Sequence, residues 1–205
     1  MSPTVLKSAH VLALGLWGGG AAFFNFVTAP TIFETFKHVV EAGPSDRTAY
    51  QPIGRAGADA EDRKALASAL AGSAVGPVFP KYFAWQLVCG AVALLTAAAW
   101  WRLGGVHRWR VVLVGAAVVT VAAGWPLSEA VTNLRVRRYD PDPAVATAAK
   151  DAFGPWHLYS LGLSTVTVLL AGASLALAAK LPVDEQPTAR PPATAEAPDA
   201  ERRRD

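Results

Sequence analysis

The chain has 205 residues and a formal net charge of +3, and 52% of its residues are hydrophobic while only 17% are charged. With a positive mean hydropathy, this composition predicts a membrane protein rather than a soluble domain. The basic residues are not gathered into a patch with interleaved aromatics, so we expect no nucleic-acid partner.

Four stretches without charged residues are long enough, or nearly so, to cross a bilayer. About 20 helical residues span a hydrocarbon core of about 30 Å, and we place the spans at about 8–30, 80–101, 110–133 and 156–179. A buried soluble helix would explain one such stretch, but a small soluble chain has no surface with which to cover four. The sequence therefore predicts an all-α membrane protein, a four-transmembrane-helix bundle within residues 1–181.

The first stretch follows Lys7, as the apolar core of a signal peptide would. It is longer than such a core, and no small-x-small cleavage site follows it cleanly, so we expect a first span. Gly15 and Gly19 form a small-xxx-small pattern typical of close helix packing. His10 and Trp17 share a face of this helix, which predicts a contact between imidazole and indole.

A long loop at residues 34–77 separates the first two spans. Within it, the segment from Asp59 to Ser73 has apolar residues at helical spacing and is either an interfacial helix or a solvated Ala-rich linker. Residues 182–205 are rich in Pro, Ala and charged residues, so we predict a disordered tail.

Proline positions predict breaks in the second half of the chain. Asp142 and Pro143 have the character of an N-cap and a first-turn residue, so a short helix should precede the fourth span and end at Gly154-Pro155. Pro126 should bend the third span. Cys89 is the only cysteine, which excludes a disulfide within the chain.

One face of the fourth span is small and polar. At about 100° per residue, six residues fall on one stripe: His157, Ser160, Ser164, Thr167, Ala171 and Ser174. Because polar side chains are costly in lipid, this stripe should face protein or water.

Topology brings further polar residues to one side of the membrane, because the ends of spans one and three and the starts of spans two and four lie there. We predict a polar cluster beneath the two longer loops, formed by Asn25, Lys81, Tyr82, Glu129, Asn133, Arg135, His157, Ser160 and Ser164. Glu129 should either lie at the interface or be paired within the bundle. The alternative is a set of helix-end residues that extend towards water and cap helices.

No recognisable catalytic or metal-binding pattern accompanies this cluster. His10 and His157 begin spans that start on opposite sides, so they should not ligate one haem. One Cys and one Met offer no soft-metal cluster. A hydrolase based on Ser160, His157 and Glu129 would lack a nucleophile elbow. We therefore expect neither an enzyme nor a bound cofactor or metal.

The start of the second span, Val78-Phe79-Pro80-Lys81-Tyr82-Phe83, resembles the Leu-Phe-Pro-x-Tyr-Phe motif of the family typified by transmembrane protein 205. Further similar elements are His10 with Trp17-Gly18, Trp125-Pro126, and Phe153 with His157 and Ser160. The resemblance covers roughly residues 5–180. It implies a four-helix membrane domain of largely undefined activity, with drug-resistance associations for the vertebrate member. The motif positions that it singles out are His10, Trp17, Phe79, Pro80, Tyr82 and Phe83.

Two functional hypotheses follow. The polar stripe and the one-sided cluster favour a transport- or permeation-related protein in the lipid bilayer, which with four spans would need to form a homo-oligomer. The Gly-rich first span, long loop and charged tail favour the alternative, a non-catalytic membrane scaffold or assembly factor with a membrane protein partner.

Arginines occur near both membrane sides, at 102–110 and at 135–138. Because the short connection at 102–110 is purely basic, we expect that side and both termini to be cytoplasmic. Arg outnumbers Lys by 13 to 6 and Ala is abundant, which is typical of a GC-rich bacterium, so we expect the bacterial cytoplasmic (inner) membrane.

Overall fold

The computed structural model describes residues 2–41 and 59–181, which are helical apart from short connections. The elements in chain order are α1 (Pro3–Phe23), a π-helical turn (Phe24–Thr28), α2 (Ala29–Glu41), α3 (Ala60–Val75), α4 (Val78–Ala98), a 3₁₀ turn (Trp101–Leu103), α5 (Gly105–Arg137) and α6 (Pro143–Ala178). Four helical stretches are long and apolar enough to cross a membrane, with α1, the π-helical turn and α2 forming one of them. The predicted all-α bundle of four membrane helices is confirmed.

The bundle has two ends that differ in their elements. His10 of α1 contacts Thr96 near the end of α4, whereas Asn25 contacts Tyr82 near the start of α4, so the two helices are antiparallel. We call the end that holds the start of α1, residues 99–104 and the end of α6 the α4–α5 end. The opposite end, which holds α2, α3 and the α5–α6 connection, is the α3 end.

Small residues let the helices approach one another in the core. Ala93 and Ala117 are fully buried, and a Cβ added to Gly90 would lie 3.0 Å from the ring of Trp17. Membrane helices pack in this way because van der Waals contact between close backbones, not water exclusion, drives their association.

The predicted packing role of Gly15 and Gly19 is wrong within the described chain. A Cβ built at either position finds no heavy atom within 4 Å, whereas one at Gly18 lies 3.7 Å from Ala171. The buried face of α1 runs through Leu14 and is displaced by about 100° from Gly15. The two glycines therefore point away from the neighbouring helices.

The loop predicted at 34–77 is corrected in two places. Pro30 does not end the first helix, because the π-helical turn just before it widens the backbone and accommodates the proline ring. The helix continues to Glu41, where Val39 and Val40 are buried while Glu34 accepts a hydrogen bond from His38 at 3.1 Å on the exposed face. Residues 42–58 of the loop and the predicted tail at 182–205 lie outside the described residues.

A helix, not a linker, occupies the segment between Asp59 and Val75. The carboxylate of Asp59 caps this helix, α3, by accepting a hydrogen bond from the backbone N–H of Asp62 at 2.8 Å. Two bonds from the α5 region hold α3 over the bundle: Arg135 Nη1 donates to the Gly72 carbonyl, and Tyr139 Oη donates to the Ala65 carbonyl.

The predicted break at Gly154-Pro155 is also wrong, because α6 runs without interruption from Pro143 to Ala178. Side chains on both sides of Pro155 are held together. The Phe153 ring stacks on His157 with centroids 5.4 Å apart, and the Arg138 guanidinium lies 4.0 Å from the Phe153 ring. These contacts offset the one backbone hydrogen bond that proline removes.

Candidate functional site

A cavity of about 270 Å³ lies inside the bundle at the α3 end. Residues of the π-helical turn, α2, α4, α5 and α6 form its walls, and Val75 of α3 contributes to its lining. The apolar wall is largely aromatic and includes Phe24, Phe33, Phe79 and Phe83. All of these rings except Phe33 belong to a chain of ring contacts, in which Phe24 stacks on Tyr82 at 4.4 Å and Phe83 stacks on Trp125 at 6.1 Å.

The cavity is also lined by a hydrogen-bonded chain of polar side chains from three helical elements. Ser164 Oγ donates to Asn25 Oδ1 at 3.2 Å, and Asn25 Nδ2 donates to Tyr82 Oη at 3.0 Å. Asn25 belongs to the π-helical turn, a distortion that is frequent at functional sites. We call Asn25, Tyr82 and Ser164 the polar triad.

On the side of the polar triad towards the middle of the bundle, two hydrogen-bonded pairs of buried side chains close the cavity. Trp17 Nε1 donates to Gln86 Oε1 at 3.2 Å, and the hydroxyls of Thr120 and Thr167 lie 2.7 Å apart. Gln86 and Thr167 are each 3% exposed. The floor of the cavity is therefore held by hydrogen bonds as well as by packing.

Two arginines and a histidine lie around the outer part of the cavity. Arg135 and His157 both line it, and Arg138 reaches the same region through its contact with Phe153, the ring that stacks on His157. Arg135 uses Nη1 to bond the carbonyl of Gly72 in α3. The guanidinium is thereby fixed at the side of the cavity that faces α3.

The structure brings together most, but not all, of the predicted polar cluster. The members that line the cavity are Asn25, Tyr82, Arg135, His157, Ser160 and Ser164. Glu129 and Asn133 line an adjoining cleft between α4 and α5 together with Pro80, and Lys81 is exposed. Ser128 and Thr132 of α5 line the cavity. Glu129 and Asn133 each follow one of these residues, so their side chains point about 100° away from the cavity. Glu129 therefore does not lie beside His157 and Ser160.

Glu129 lies on an exposed face of α5 and has a partner in its own helix. Its Oε1 accepts a hydrogen bond from Trp125 Nε1, one turn earlier in α5, at 3.1 Å. The side chain is thus satisfied by its own helix on an exposed face.

The motif positions fall into two groups. Phe79, Tyr82 and Phe83 line the cavity, whereas His10 and Trp17 are fully buried deeper in the bundle. The predicted contact between His10 and Trp17 is corrected: the His10 ring packs edge-on against Trp100 at 5.7 Å. His10 Nδ1 lies 2.8 Å from Thr96 Oγ1, so its partners belong to α4 and to the turn that follows it.

Sequence reasoning missed Gln86, Thr96 and Arg110, all buried. A signal for each existed, since a polar side chain within an apolar span marks a protein-facing position. Within residues 2–41 and 59–181, no three His, Cys, Asp or Glu side chains lie together as metal ligands would.

The fold and the cavity define a multi-pass α-helical membrane protein with an internal site of mixed apolar and polar walls. Residues 63–140 match the model of a domain of unknown function (DUF4149), a match that covers less than half of the chain and includes α4 and α5. No curated protein and no solved structure matches the chain. The resemblance to the transmembrane protein 205 family rests on the motif residues alone and stays a prediction.

Proposed function

We propose that this protein is a transport- or permeation-related, non-catalytic membrane protein whose cavity binds a small amphipathic molecule with an anionic head. The observation that carries the proposal is the polar triad, which faces a cavity at the depth of the apolar spans. Polar groups at such depth are expensive, and they commonly mark the path or binding site of a solute.

The walls of the cavity define the class of ligand. Ligand pockets are mostly apolar, with a few placed polar groups that fix orientation, and the aromatic wall beside the polar triad fits this pattern. A volume of about 270 Å³ accommodates a short-chain molecule rather than a complete phospholipid.

The charge around the cavity selects the head group. Arg135 lines the cavity, and no acidic side chain is among the lining residues. Arg138 lies close by over Phe153. A guanidinium binds carboxylate with paired hydrogen bonds, so we expect an anionic head near Arg135 and an apolar tail directed towards Gln86.

Transport through this cavity requires further elements. The floor formed by Trp17 and Gln86 would have to move, and four spans are few for a complete transporter, so we propose a homo-oligomer. We also propose the bacterial cytoplasmic membrane, with both termini in the cytoplasm. The support for this orientation is the α4–α5 end, where the charged residues that the structure describes are all basic and include Lys7, Arg102, Arg108 and Lys180.

The test is binding of radiolabelled octanoate to the purified full chain in nanodiscs, measured by equilibrium dialysis against empty nanodiscs. Ser164→Leu removes a hydroxyl of the polar triad and fills part of the cavity, so octanoate should bind at least about tenfold more weakly, or ~1.4 kcal/mol. The control is Thr165→Leu, which makes a similar change on the adjacent, exposed position of the same helix. Its binding should match the unsubstituted chain.

The head group is tested by comparing octanoate with octanol in the Arg135→Gln variant. This variant should lose affinity for octanoate and keep its affinity for octanol, whereas Arg137→Gln, an exposed change two residues away, should alter neither. Equal octanoate binding by Ser164→Leu and the unsubstituted chain would contradict the cavity as the site. In that case a stoichiometric partner lost on deletion of Pro44 to Ala74 would favour the scaffold.

A further inference from the structure

A buried arginine lies at the opposite end of the bundle from the cavity. Arg110, in the second turn of α5, is 1% exposed. Its guanidinium stacks over the ring of Trp100, with Cζ 5.3 Å from the centroid. Nη1 lies 3.3 Å from His107 Nδ1, so one nitrogen of the guanidinium has a partner within α5.

The other two nitrogens of Arg110 have no hydrogen-bond partner among the described residues. These are Nε and Nη2, which together form the side-on edge of the guanidinium. Two parallel N–H groups on this edge match two oxygens of a phosphate or carboxylate. The unpartnered atoms are therefore the pair that binds an oxyanion in bidentate geometry.

The described protein supplies no counter-charge for Arg110. At the α4–α5 end the charged residues within 2–41 and 59–181 are all basic, namely Lys7, Arg102, Arg108, Arg110 and Lys180. Every described Asp and Glu lies in α2, in α3 or at its N-cap Asp59, in the half of α5 near the α3 end, or in residues 140–151. A guanidinium keeps its proton in proteins, and an unpaired buried charge costs several kcal/mol.

The surroundings of Arg110 place it at the level of a lipid headgroup layer. Trp101 and Trp109 are 44% and 65% exposed at this end, as in the aromatic belts at membrane interfaces. Gly104 and Gly105 start α5 with positive φ angles, and a Cβ at either would find open space. His10, which packs edge-on against Trp100, adds a third unpartnered buried nitrogen, Nε2.

We propose that the Nε and Nη2 edge of Arg110 binds the phosphate of an anionic phospholipid from the leaflet at the α4–α5 end. The phosphate approaches past Gly104 and Gly105 and neutralises the buried charge. Exposed Arg102 and Arg108 attract the anionic headgroup to this end. The site is independent of the cavity at the α3 end and does not rest on the function proposed for it.

The test is thermal unfolding of the full chain in detergent with three additions: phosphatidylglycerol, diacylglycerol with the same acyl chains, and inorganic phosphate. A ligand that binds only the folded state raises the unfolding temperature. We expect phosphatidylglycerol alone to do so in the unsubstituted chain and in Arg137→Gln, an exposed control at the α3 end. Arg110→Lys keeps the charge but lacks the two-donor edge, so the lipid should lose most of its effect there, as in Arg110→Gln.

Each alternative result overturns a stated part of the proposal. An equal rise with inorganic phosphate would assign the edge to a soluble anion, and an equal rise in Arg110→Lys and Arg110→Gln would remove Arg110 from the site. A second measurement needs no substitution. It is an electron-microscopy map of the unsubstituted chain in phosphatidylglycerol nanodiscs, with an antibody fragment bound to the protein. Phosphate density beside Nε and Nη2 would support the proposal, whereas a carboxylate of this chain there, such as that of Asp184, would refute it.

Discussion

At the scale of single residues, Gly90 sets how closely α4 can approach α1 and α5. A Cβ at this position would lie 2.9 Å from Val118 Cγ2 and 3.0 Å from the Trp17 ring. Trp17 in turn donates to Gln86 at the floor of the cavity. The small size of one residue thus couples the packing of three helices to the lower boundary of the site.

We expect Gly90→Ala to destabilise the protein by about 1–3 kcal/mol, the range for overpacking a filled core. The matched control is Gly115→Ala, where a Cβ meets nothing within 4 Å and alanine should gain about 0.5–1 kcal/mol of helix stability. Unfolding by titration with sodium dodecyl sulfate in mixed micelles measures both changes. Equal stability of the two variants would show that Gly90 is not closely packed.

The sequence predicts which residues lie at the cavity better than it predicts the contacts that these residues make. Asn25, Tyr82 and Ser164 could be placed on one membrane side because span order alone determines it. Spacing also places residues on a face of their own helix, but the rotation of that face towards a particular neighbour depends on packing of all four spans. For this reason the sequence predicts Glu129 in the polar cluster, although this residue lies outside the cavity. It also predicts a contact of His10 with Trp17, whereas the His10 ring packs against Trp100.

At the scale of elements, the position of α3 depends on its close approach to Arg135. A Cβ on Gly72 would lie 2.6 Å from Arg135 Cδ and 3.0 Å from its Nε. The absence of a side chain at Gly72 therefore lets Arg135 reach the Gly72 carbonyl at 3.1 Å. The same contact fixes the guanidinium beside the cavity.

We predict that Gly72→Ala will loosen α3, although alanine is the better helix former. The new methyl group would displace Arg135 and break its bond to the Gly72 carbonyl, a loss of ~1 kcal/mol that should accelerate amide exchange in residues 60–75 about fivefold. Hydrogen exchange read by mass spectrometry measures this. Ser73→Ala is the control, since the Ser73 hydroxyl bonds only within α3; unchanged exchange in Gly72→Ala would contradict the docking role.

Helix continuity was the least predictable property of the elements. Proline removes one backbone donor and crowds the preceding turn, and for this reason the sequence predicts a helix end at Gly154-Pro155. The structure accommodates Pro30 with the π-helical turn before it and holds the helix around Pro155 through Phe153 and His157. Neither the π-helical turn nor the contact of Arg138 with Phe153 follows from the properties of proline, whereas the existence of four spans follows from hydropathy and length alone.

At the scale of the whole molecule, charge is distributed unevenly between the two ends. The described cations at the α4–α5 end have no acidic neighbours there, whereas the α3 end mixes both signs, with Glu61 and Asp62 near Arg63 and Lys64. Basic residues in short connections are retained in the cytoplasm during insertion. The same asymmetry therefore supports both the proposed orientation and the attraction of anionic lipid to Arg110.

The orientation predicts which end reacts with a membrane-impermeant maleimide in intact bacterial cells. Cys89 is the only cysteine of the chain and is buried, so the unsubstituted protein serves as the unlabelled control. Pro141→Cys, exposed between α5 and α6, should label in intact cells, whereas Leu103→Cys, exposed between α4 and α5, should label only after permeabilisation. The reverse pattern would place both termini outside the cytoplasm, and the basic α4–α5 end would then face the outer leaflet instead of the inner leaflet.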